Sequence, residues 1–468
     1  MSNIDAVWAL AEAKRAAFFA LSDAIWDKPE LSFGETEACR AHTAMLAKEG
    51  FRITEAAGGL ATAVIGEAGE GGPVIAFLGE YDALAALSQA PGIAAAQPMT
   101  PGGAGHGCGH NMLGSASLLA ATAVKDYLAA HNLPGRVRYY GCPAEERGSA
   151  KGFMVRAGLF ADVDVAISWH PASFTGVNTP ISLACIEADF HFSGRAAHAA
   201  AAPHLGRSAL DAVELMNVGV NYMREHMPSS ARIHYAITDA GGTAPNVVQA
   251  RASVRYLVRA RELDEMHALF ARVKKIAEGA ALMTETTQRC AVVSGTANLI
   301  GNATLERVMH EALERLGPAP FDAADRALAA EFQKTFTPEE IRAAFLRFGL
   351  RPRMDLPLCD FIYPLGGGDG SLVGSTDVGT VSWVVPTVQM RGATCAVGTP
   401  FHSWQLVAQG KTAIAHKGLE HAAKAMAATA VDLLAAPALI AQARADWQAV
   451  RAGRDFVNPI PDDVMPPA

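Results

Sequence analysis

The sequence contains four short segments whose side chains are common ligands of divalent metal ions. The candidates are Cys108 and His110, the adjacent Glu145 and Glu146, His170, and His402. The first three segments lie where predicted strands end or where a predicted helix begins. Because ligands bind outside the carboxyl ends of the strands in open α/β sheets, these side chains can converge. Thiolate, imidazole and carboxylate groups suit zinc and related metals, so we predict one shared metal site.

Each segment also has an ordinary structural explanation when it is considered alone. A Cys-x-His pair can be a buried thiol and a solvated imidazole, adjacent carboxylates usually lie in an exposed turn, and a single His is usually structural. Their occurrence at three consecutive strand ends is hard to attribute to chance. Five ligands would suit two cations that share one ligand, and the set is Cys108, His110, Glu146, His170 and His402. The chemistry alone lets either Glu145 or Glu146 be the ligand and the other the base.

The elements that must position these residues alternate between strands and helices. The pattern predicts strand 74–78, helix 112–131, strand 136–140, a helical stretch near 151–158 and strand 163–169. Towards the C-terminal end it predicts a Gly-rich turn at 366–370, two strand-like runs at 379–385 and 387–397, and a helix at 419–434. Alternation of this kind is typical of an α/β domain with a mostly parallel sheet.

Between residues 184 and 294 the pattern changes to that of a smaller α+β unit. Residues 185–192 alternate apolar and polar side chains, as in a half-exposed antiparallel strand. A helix, two strands and an amphipathic helix follow, in a ferredoxin-like order. We therefore predict a catalytic domain formed by 1–183 and 295–468, interrupted by an inserted lid or dimerisation domain at 184–294.

Composition limits the kinds of partner. The net charge is −8 and 18% of the residues are charged, without blocks of like charge, which argues against a nucleic-acid or anionic-membrane surface. Half of the residues are hydrophobic, enough for a large core. The first residues do not resemble a secretory signal, and seven scattered cysteines do not form a disulfide pattern. We expect a soluble cytoplasmic protein.

The motifs, taken in order, resemble those of the M20 family of metallopeptidases and amidohydrolases. They are Cys-Gly-His at 108–110, Pro-Ala-Glu-Glu at 143–146, the strand-ending His170 and the C-terminal His402. The likeness extends to 194–199, 208–213 and 244–248, and so covers nearly the whole chain. The branch it resembles contains aminoacylases, auxin-conjugate hydrolases and aminobenzoyl-glutamate hydrolase subunits. Residues 106–111 and 377–383 are similar to the B-type subunits of that last group.

The resemblance implies an amide hydrolase with two divalent ions, zinc or manganese, that cleaves N-acyl amino acids, related conjugates such as aminobenzoyl-glutamate, or small peptides. It implies the following roles: Cys108 as bridging ligand, His110, Glu146, His170 and His402 as the other ligands, Glu145 as general base, His198 as oxyanion-stabilising residue and Asn246 as substrate-binding residue. In the family, the histidine matched by His198 often serves the partner subunit. We therefore expect a homodimer, or a hetero-oligomer with a related subunit.

Two departures from the family pattern carry expectations of their own. Asn111 stands where much of the branch has Asp, and we expect this to change the contact that orients His110. Residues 320–355 form a longer segment than in aminoacylase-type members, and we expect it to reshape the substrate pocket. Two rival hypotheses are a catalytically silent partner subunit and a cysteine hydrolase that uses Cys108 with a nearby histidine.

Overall fold

The computed structural model describes residues 3–366 and 374–466, which form eleven strands and thirteen α-helices. The strands are β1 (Arg52–Glu55), β2 (Val64–Glu70), β3 (Val74–Glu80), β4 (Gly135–Cys142), β5 (Val165–Ala172), β6 (Gly176–Val177), β7 (Ala184–Ser193), β8 (Arg232–Asp239), β9 (Arg251–Ala260), β10 (Thr287–Thr296) and β11 (Thr387–Ala393). The helices are α1 (Asn3–Trp26), α2 (Thr36–Lys48), α3 (His110–His131), α4 (Ala150–Arg156), α5 (Ala209–Met223), α6 (Leu263–Thr284), α7 (Ala303–Leu316), α8 (Ala323–Gln333), α9 (Pro338–Arg347), α10 (Val378–Ser382), α11 (Trp404–Gln409), α12 (Ala413–Ala435) and α13 (Pro437–Arg451).

The larger sheet is mixed and has the order β1-β2-β4-β3-β5-β11-β6. Its four central strands, β4, β3, β5 and β11, are parallel, and antiparallel strands flank them on both sides. Every residue of β3 and β5 is buried, as expected for strands that are covered on both faces. Helices α1, α3 and α12 pack together and bury one continuous apolar core against this sheet. The predicted α/β class is confirmed.

The carboxyl ends of the parallel strands meet at one edge of the larger sheet. In the β3–β4 ladder Glu80 is paired with Cys142, and in the β5–β11 ladder His170 is paired with Arg391. The loops that follow these strands therefore leave the sheet side by side. This edge is the place where the candidate ligands can converge.

The smaller sheet is antiparallel, with the order β10-β7-β9-β8, and α5 and α6 pack on it around a separate apolar core. The β-α-β-β-α order expected from the sequence is present, and β10 adds a fourth strand. Strand β8 lies at the edge and exposes Tyr235 and Ile237. The division of the chain at 184 and 294 into domains stays a prediction.

The strand expected at 379–385 is wrong, because α10 occupies Val378–Ser382. A Cβ at Gly379 would lie 2.0 Å from the carbonyl oxygen of Ala297, so the two backbones are in close contact. Thr380 Oγ1 accepts a hydrogen bond from the Ala297 amide at 3.1 Å. These tertiary contacts override the strand propensity of the Val and Thr residues. The expected strand 387–397 ends at Ala393.

Two further expectations concern segments near the C-terminal half. The segment 320–355 is helical, as expected, and contains α8 and α9. Most of the Gly-rich turn expected at 366–370 lies outside the described residues. Among the described residues, no single helix is both long and apolar enough to cross a membrane. Helices α12 and α13 meet these criteria of length and composition only when they are taken together, and the chain bends by 101° between them.

Candidate metal centre

The loops that carry the candidate ligands contain residues with positive φ angles, a backbone conformation that is uncommon for residues other than glycine. Gly109 has φ +78° at the start of α3, and a Cβ there would lie 3.0 Å from the ring of Pro171. Ala144 and His402 have φ +53° and +57°, which is uncommon for residues other than glycine. Their amides are fixed: Ala144 N donates to Glu35 Oε1, and His402 N donates to the Gly107 carbonyl, both at 2.8 Å. The local strain at these loops is therefore offset by specific contacts.

The five expected ligands form two groups that share Cys108. In one group the ligand atoms of Cys108, His110 and His170 all lie within 4.8 Å of one another. The same holds for Cys108, Glu146 and His402 in the other group. Cys108 Sγ lies 3.4 Å from His170 Nε2, and His402 Nε2 lies 3.5 Å from Glu146 Oε2. Such an arrangement fits two cations with a bridging thiolate.

Buried polar atoms without hydrogen bonds support a cation site at these groups. Among the described residues, His110 Nε2, Glu146 Oε1 and Glu80 Oε2 have no hydrogen-bond partner although they are buried. His110 Nε2 and Glu80 Oε2 lie 3.3 Å apart, but without hydrogen-bond geometry. A buried polar atom left in this state costs about 1 to 3 kcal/mol. Coordination of a cation would satisfy these atoms, so the residues present fit a metal centre.

The carboxylate of Asp82 contacts two of the candidate ligand residues, His110 and Glu146. Its Oδ1 lies 2.8 Å from His110 Nδ1, and its Oδ2 accepts hydrogen bonds from Glu146 N at 2.9 Å and from Ser32 Oγ at 3.1 Å. When Nδ1 donates to this carboxylate, the lone pair of His110 Nε2 is free for a metal. The expectation that residue 111 changes this contact is wrong, because Asn111 donates to Ser22 Oγ and to the Gly410 carbonyl instead.

The adjacent carboxylates face different parts of the centre. Glu145 groups with Glu80 and His110, whereas Glu146 groups with Cys108 and His402. Burial raises the pKa of Glu145 well above its usual value, and the charges of Glu80 and Glu146 raise it further. Burial also raises the pKa of Glu146. The separation agrees with different roles for the two neighbours.

The sequence analysis did not predict the buried ion pairs that Lys151 forms with Glu80 and Asp377. Lys151 Nζ donates to Glu80 Oε1 and to Asp377 Oδ1, both at 2.6 Å, and all three side chains are almost completely buried. Burial opposes the charge on Lys151, yet the two carboxylates hold its pKa well above the ordinary value. Glu80 ends β3 and Asp82 follows it, so the strand-end rule could have found them.

A cleft of about 260 Å³ opens beside the candidate ligands. Ala344, Arg347 and Phe348, from the end of α9, form part of its wall. The 320–355 segment therefore borders the cleft, in agreement with the expectation that it shapes the pocket. Arg347 and Arg391, which the sequence analysis did not single out, also line this cleft.

His198 and Asn246 lie outside the cleft of their own chain. Both side chains are exposed, and neither is among the described residues that line the cleft. Their backbones are neighbours, since Ala199 N donates to the Asn246 carbonyl at 3.0 Å. His198 Nδ1 accepts hydrogen bonds from Ala200 N and Ala201 N, each at 3.2 Å. The two residues therefore form a pair on the surface of the smaller unit.

The mixed sheet, the Cys/His/Glu groups at its carboxyl edge and the second carboxylate beside them define a metal-dependent amide hydrolase. Residues 185–285 match the family model for a peptidase dimerisation domain of the M20 type. The chain is 46% identical to the B-type subunit of p-aminobenzoyl-glutamate hydrolase from Escherichia coli (strain K12), with 97% of each chain covered. It therefore belongs to the M20 family of metal-dependent peptidases and amidohydrolases.

Two further proteins show how widely the similarity extends. The chain is 29% identical to the Xaa-Arg dipeptidase of Mus musculus, over 94% of this chain and 90% of that one. Its fold is similar to that of a dinuclear metal-binding M20 peptidase from Bacillus subtilis. That structure has a TM-score of 0.59 and 18% identity, covers 91% of this chain and 99% of that one, and supports the fold alone.

Proposed function

We propose that this enzyme hydrolyses the amide bond of N-acyl amino acids, of related conjugates such as aminobenzoyl-glutamate, or of small peptides. The observation that carries the proposal is the pair of ligand groups sharing Cys108, with the carboxylate of Glu145 beside them. The similarity to a p-aminobenzoyl-glutamate hydrolase subunit over 97% of the chain supports the same substrate class.

Two divalent ions, zinc or manganese, would be held by the five side chains of the centre. The proposed ligands are Cys108, His110, Glu146, His170 and His402. Imidazole and thiolate donors favour zinc, and the carboxylate of Glu146 also suits manganese. When bound, the two cations supply Lewis-acid activation of the amide carbonyl and of the attacking water.

Glu145 is the proposed general base and acid. A carboxylate oxygen of Glu145 takes one proton from the water while the oxygen of that water attacks the carbonyl carbon of the amide. The same carboxyl then delivers that proton to the nitrogen of the departing amine as the C–N bond breaks. The position of Glu145 beside His110 and Glu80, next to the groups that share Cys108, supports this role.

A second chain completes the site in this proposal. His198 would stabilise the negative charge on the carbonyl oxygen, and Asn246 would bind substrate, yet both lie outside their own cleft. A homodimer formed through the 184–294 unit would place them in the partner's cleft. A hetero-oligomer with a related chain would serve equally, and the similar Escherichia coli protein is itself a subunit.

Two rival hypotheses are less well supported. A silent subunit has no need of five converging ligands with a carboxylate such as Glu145 beside them, and all of these are present. A cysteine hydrolase would pair Cys108 with His170, 3.4 Å away, but burial raises the pKa of the Cys108 thiol, whereas a nucleophilic thiol needs a lowered pKa.

All seven cysteines are free, which supports a cytoplasmic location.

The proposal is tested on purified protein with a panel of N-acyl amino acids, aminobenzoyl-glutamate, an auxin conjugate and dipeptides. We expect hydrolysis of at least one of these amides, loss of activity with a chelator and recovery with Zn²⁺ or Mn²⁺. Hydrolysis that a chelator does not disturb would overturn the metal-dependent mechanism. Inactivity on the whole panel, with metal bound and with a related subunit supplied, would favour the silent subunit.

A further inference from the structure

The segment 30–35 packs against the loop that follows β4 and carries the two adjacent carboxylates. A Cβ at Gly148 would lie 2.2 Å from the ring of Phe33, so the segment and the loop are in close contact. Glu35 immediately precedes α2, and its side chain is completely buried. This carboxyl group therefore lies inside the protein, beside the loop of the proposed general base.

Both oxygens of the Glu35 carboxyl group accept hydrogen bonds. Oε1 accepts from Ala144 N at 2.8 Å, and Oε2 accepts from Thr62 Oγ1 at 3.0 Å. Burial raises the pKa of Glu35 to about 7, and the negative charge of Asp82 contributes to the increase. A neutral carboxyl group still has an oxygen that accepts a hydrogen bond. The contact with Ala144 N therefore requires an acceptor at this place, but not a negative charge.

The direction of the Glu145 side chain depends on the peptide group that precedes it. The carbonyl of that group belongs to Ala144 and accepts a hydrogen bond from Gly148 N at 2.9 Å. The next residue, Glu146, has a separate contact, because its amide donates to Asp82 Oδ2 at 2.9 Å. The conformation of Ala144 therefore decides where Glu145 points.

Ala144 is held in a conformation that alanine rarely adopts. Its φ angle is +53°, in the left-handed region where the Cβ of an L-residue is crowded. The residue is completely buried, so its amide needs an acceptor, and Glu35 supplies one. Loss of that acceptor would remove the contact that favours the positive φ angle. Rotation of Ala144 towards negative φ would then turn the following peptide group and, with it, Glu145.

We propose that Glu35 is a positioning residue that fixes the direction of Glu145 through the Ala144 amide. The inference rests on the proposed role of Glu145 as general base. It also gives the two neighbouring carboxylates separate supports, since Asp82 holds the amide of Glu146. A general base must lie within hydrogen-bond reach of the attacking water, and a displacement of about 1 Å can cost about 10²-fold in rate.

Kinetics and metal analysis of three variants test the proposal in the metal-loaded enzyme. The variants are Glu35→Ala, Glu35→Gln and the control Glu30→Ala. Glu30 belongs to the same segment, but its carboxylate accepts the amides of Glu37 and Ala38 at 3.0 Å and 2.9 Å. We expect Glu35→Ala to keep its metal and its KM while kcat falls by about 10- to 100-fold. Glu35→Gln keeps an accepting oxygen and should restore most of kcat, and the control should keep the wild-type kcat.

A purely structural role of Glu35 gives a different pattern. Glu35→Ala and Glu30→Ala would then both lower the midpoint of urea unfolding, and neither would lower kcat of the folded enzyme. A wild-type kcat in Glu35→Ala would overturn the proposal. So would a loss of kcat in Glu35→Gln as large as that in Glu35→Ala, because the glutamine side chain can still accept the Ala144 amide.

Hydrogen exchange at the Ala144 amide separates this proposal from the proposed function, because it requires no turnover. Mass spectrometry with fragmentation to single residues follows this amide. We expect it to exchange at least about 10-fold faster in Glu35→Ala than in the wild type, and at nearly the wild-type rate in Glu35→Gln and Glu30→Ala. That result supports the contact even if no amide substrate is hydrolysed. Equal exchange in the wild type and Glu35→Ala overturns the proposal, whether or not the enzyme is active.

Discussion

Replacement of Asp82 by Asn changes one atom of the carboxylate that orients His110. The carboxylate is fully buried, and its Oδ1 lies 2.8 Å from His110 Nδ1 while Oδ2 accepts the Glu146 amide at 2.9 Å. An amide in its place has only one accepting oxygen and carries no negative charge. One of the two contacts is therefore lost, and the other is weakened.

The expected effect follows from the kind of contact that is lost. A hydrogen bond to a charged group contributes about 1.5 to 3 kcal/mol net. If most of this energy orients His110 for the metal, metal affinity should fall by about 10- to 100-fold, the usual effect of removing such a partner. Turnover at saturating metal should fall less, because Glu145 keeps its place beside Glu80 and His110.

The assay is a competition titration of Zn²⁺ against a chromophoric chelator, with circular dichroism to confirm that Asp82→Asn is folded. Ser32→Ala is the matched control, since Ser32 Oγ donates to the same carboxylate at 3.1 Å but does not contact His110. We expect the control to bind Zn²⁺ as the wild type does. An Asp82→Asn protein with wild-type affinity would show that Asp82 does not position the ligand, and would refute the reasoning.

Three further predictions concern the base, the second chain and acid stability. Glu145→Gln should keep its metal while kcat falls by about 10² to 10⁴-fold, whereas Glu146→Ala should lose metal first. Metal analysis together with kinetics checks both variants. The opposite pattern would show that the roles of Glu145 and Glu146 are reversed. A mixture of His198→Ala and Glu145→Gln chains should regain part of the activity, and no recovery despite proven subunit exchange would exclude action across subunits. Burial lowers the pKa of His421 to about 4, from 6.5 in the unfolded chain, so the unfolded state binds more protons below pH 6.5. As the pH falls from 7 to 5, protonation of His421 in the unfolded state should lower the free energy of unfolding of the wild type by about 2 kcal/mol. Urea unfolding at the two pH values measures this loss. The loss should be about 2 kcal/mol smaller in His421→Gln.

The convergence of the candidate metal ligands could be predicted because these residues follow a local rule. Cys108 lies just before the start of α3, Glu146 lies in the loop after β4, and His170 lies near the end of β5. The topology of parallel strands brings such positions together. The same rule applies to Glu80, the last residue of β3, and to Asp82, two residues further on, which the sequence analysis did not consider. Only the buried partners of these two carboxylates reveal that they belong to the centre.

The substrate cleft could not be predicted, because its walls come from distant segments. Arg347 ends a charged amphipathic helix, and Arg391 lies within a mostly buried strand. Neither pattern indicates that the two residues line one cleft. The error at 379–385 has a related cause. A run of strand-forming residues became a helix because Gly379 packs against the backbone of Ala297, a contact that local propensity does not encode.

The central claim is a two-cation centre in which Cys108 is shared, and metal stoichiometry tests it most directly. Elemental analysis of the purified wild type, reconstituted with Zn²⁺ and freed of excess metal, should give about two ions per chain. His402→Ala should keep about one, because His110 and His170 still complete the other group with Cys108. Cys108→Ala should lose both. A wild type that binds no metal, or a Cys108→Ala protein that still binds two ions, would contradict the account.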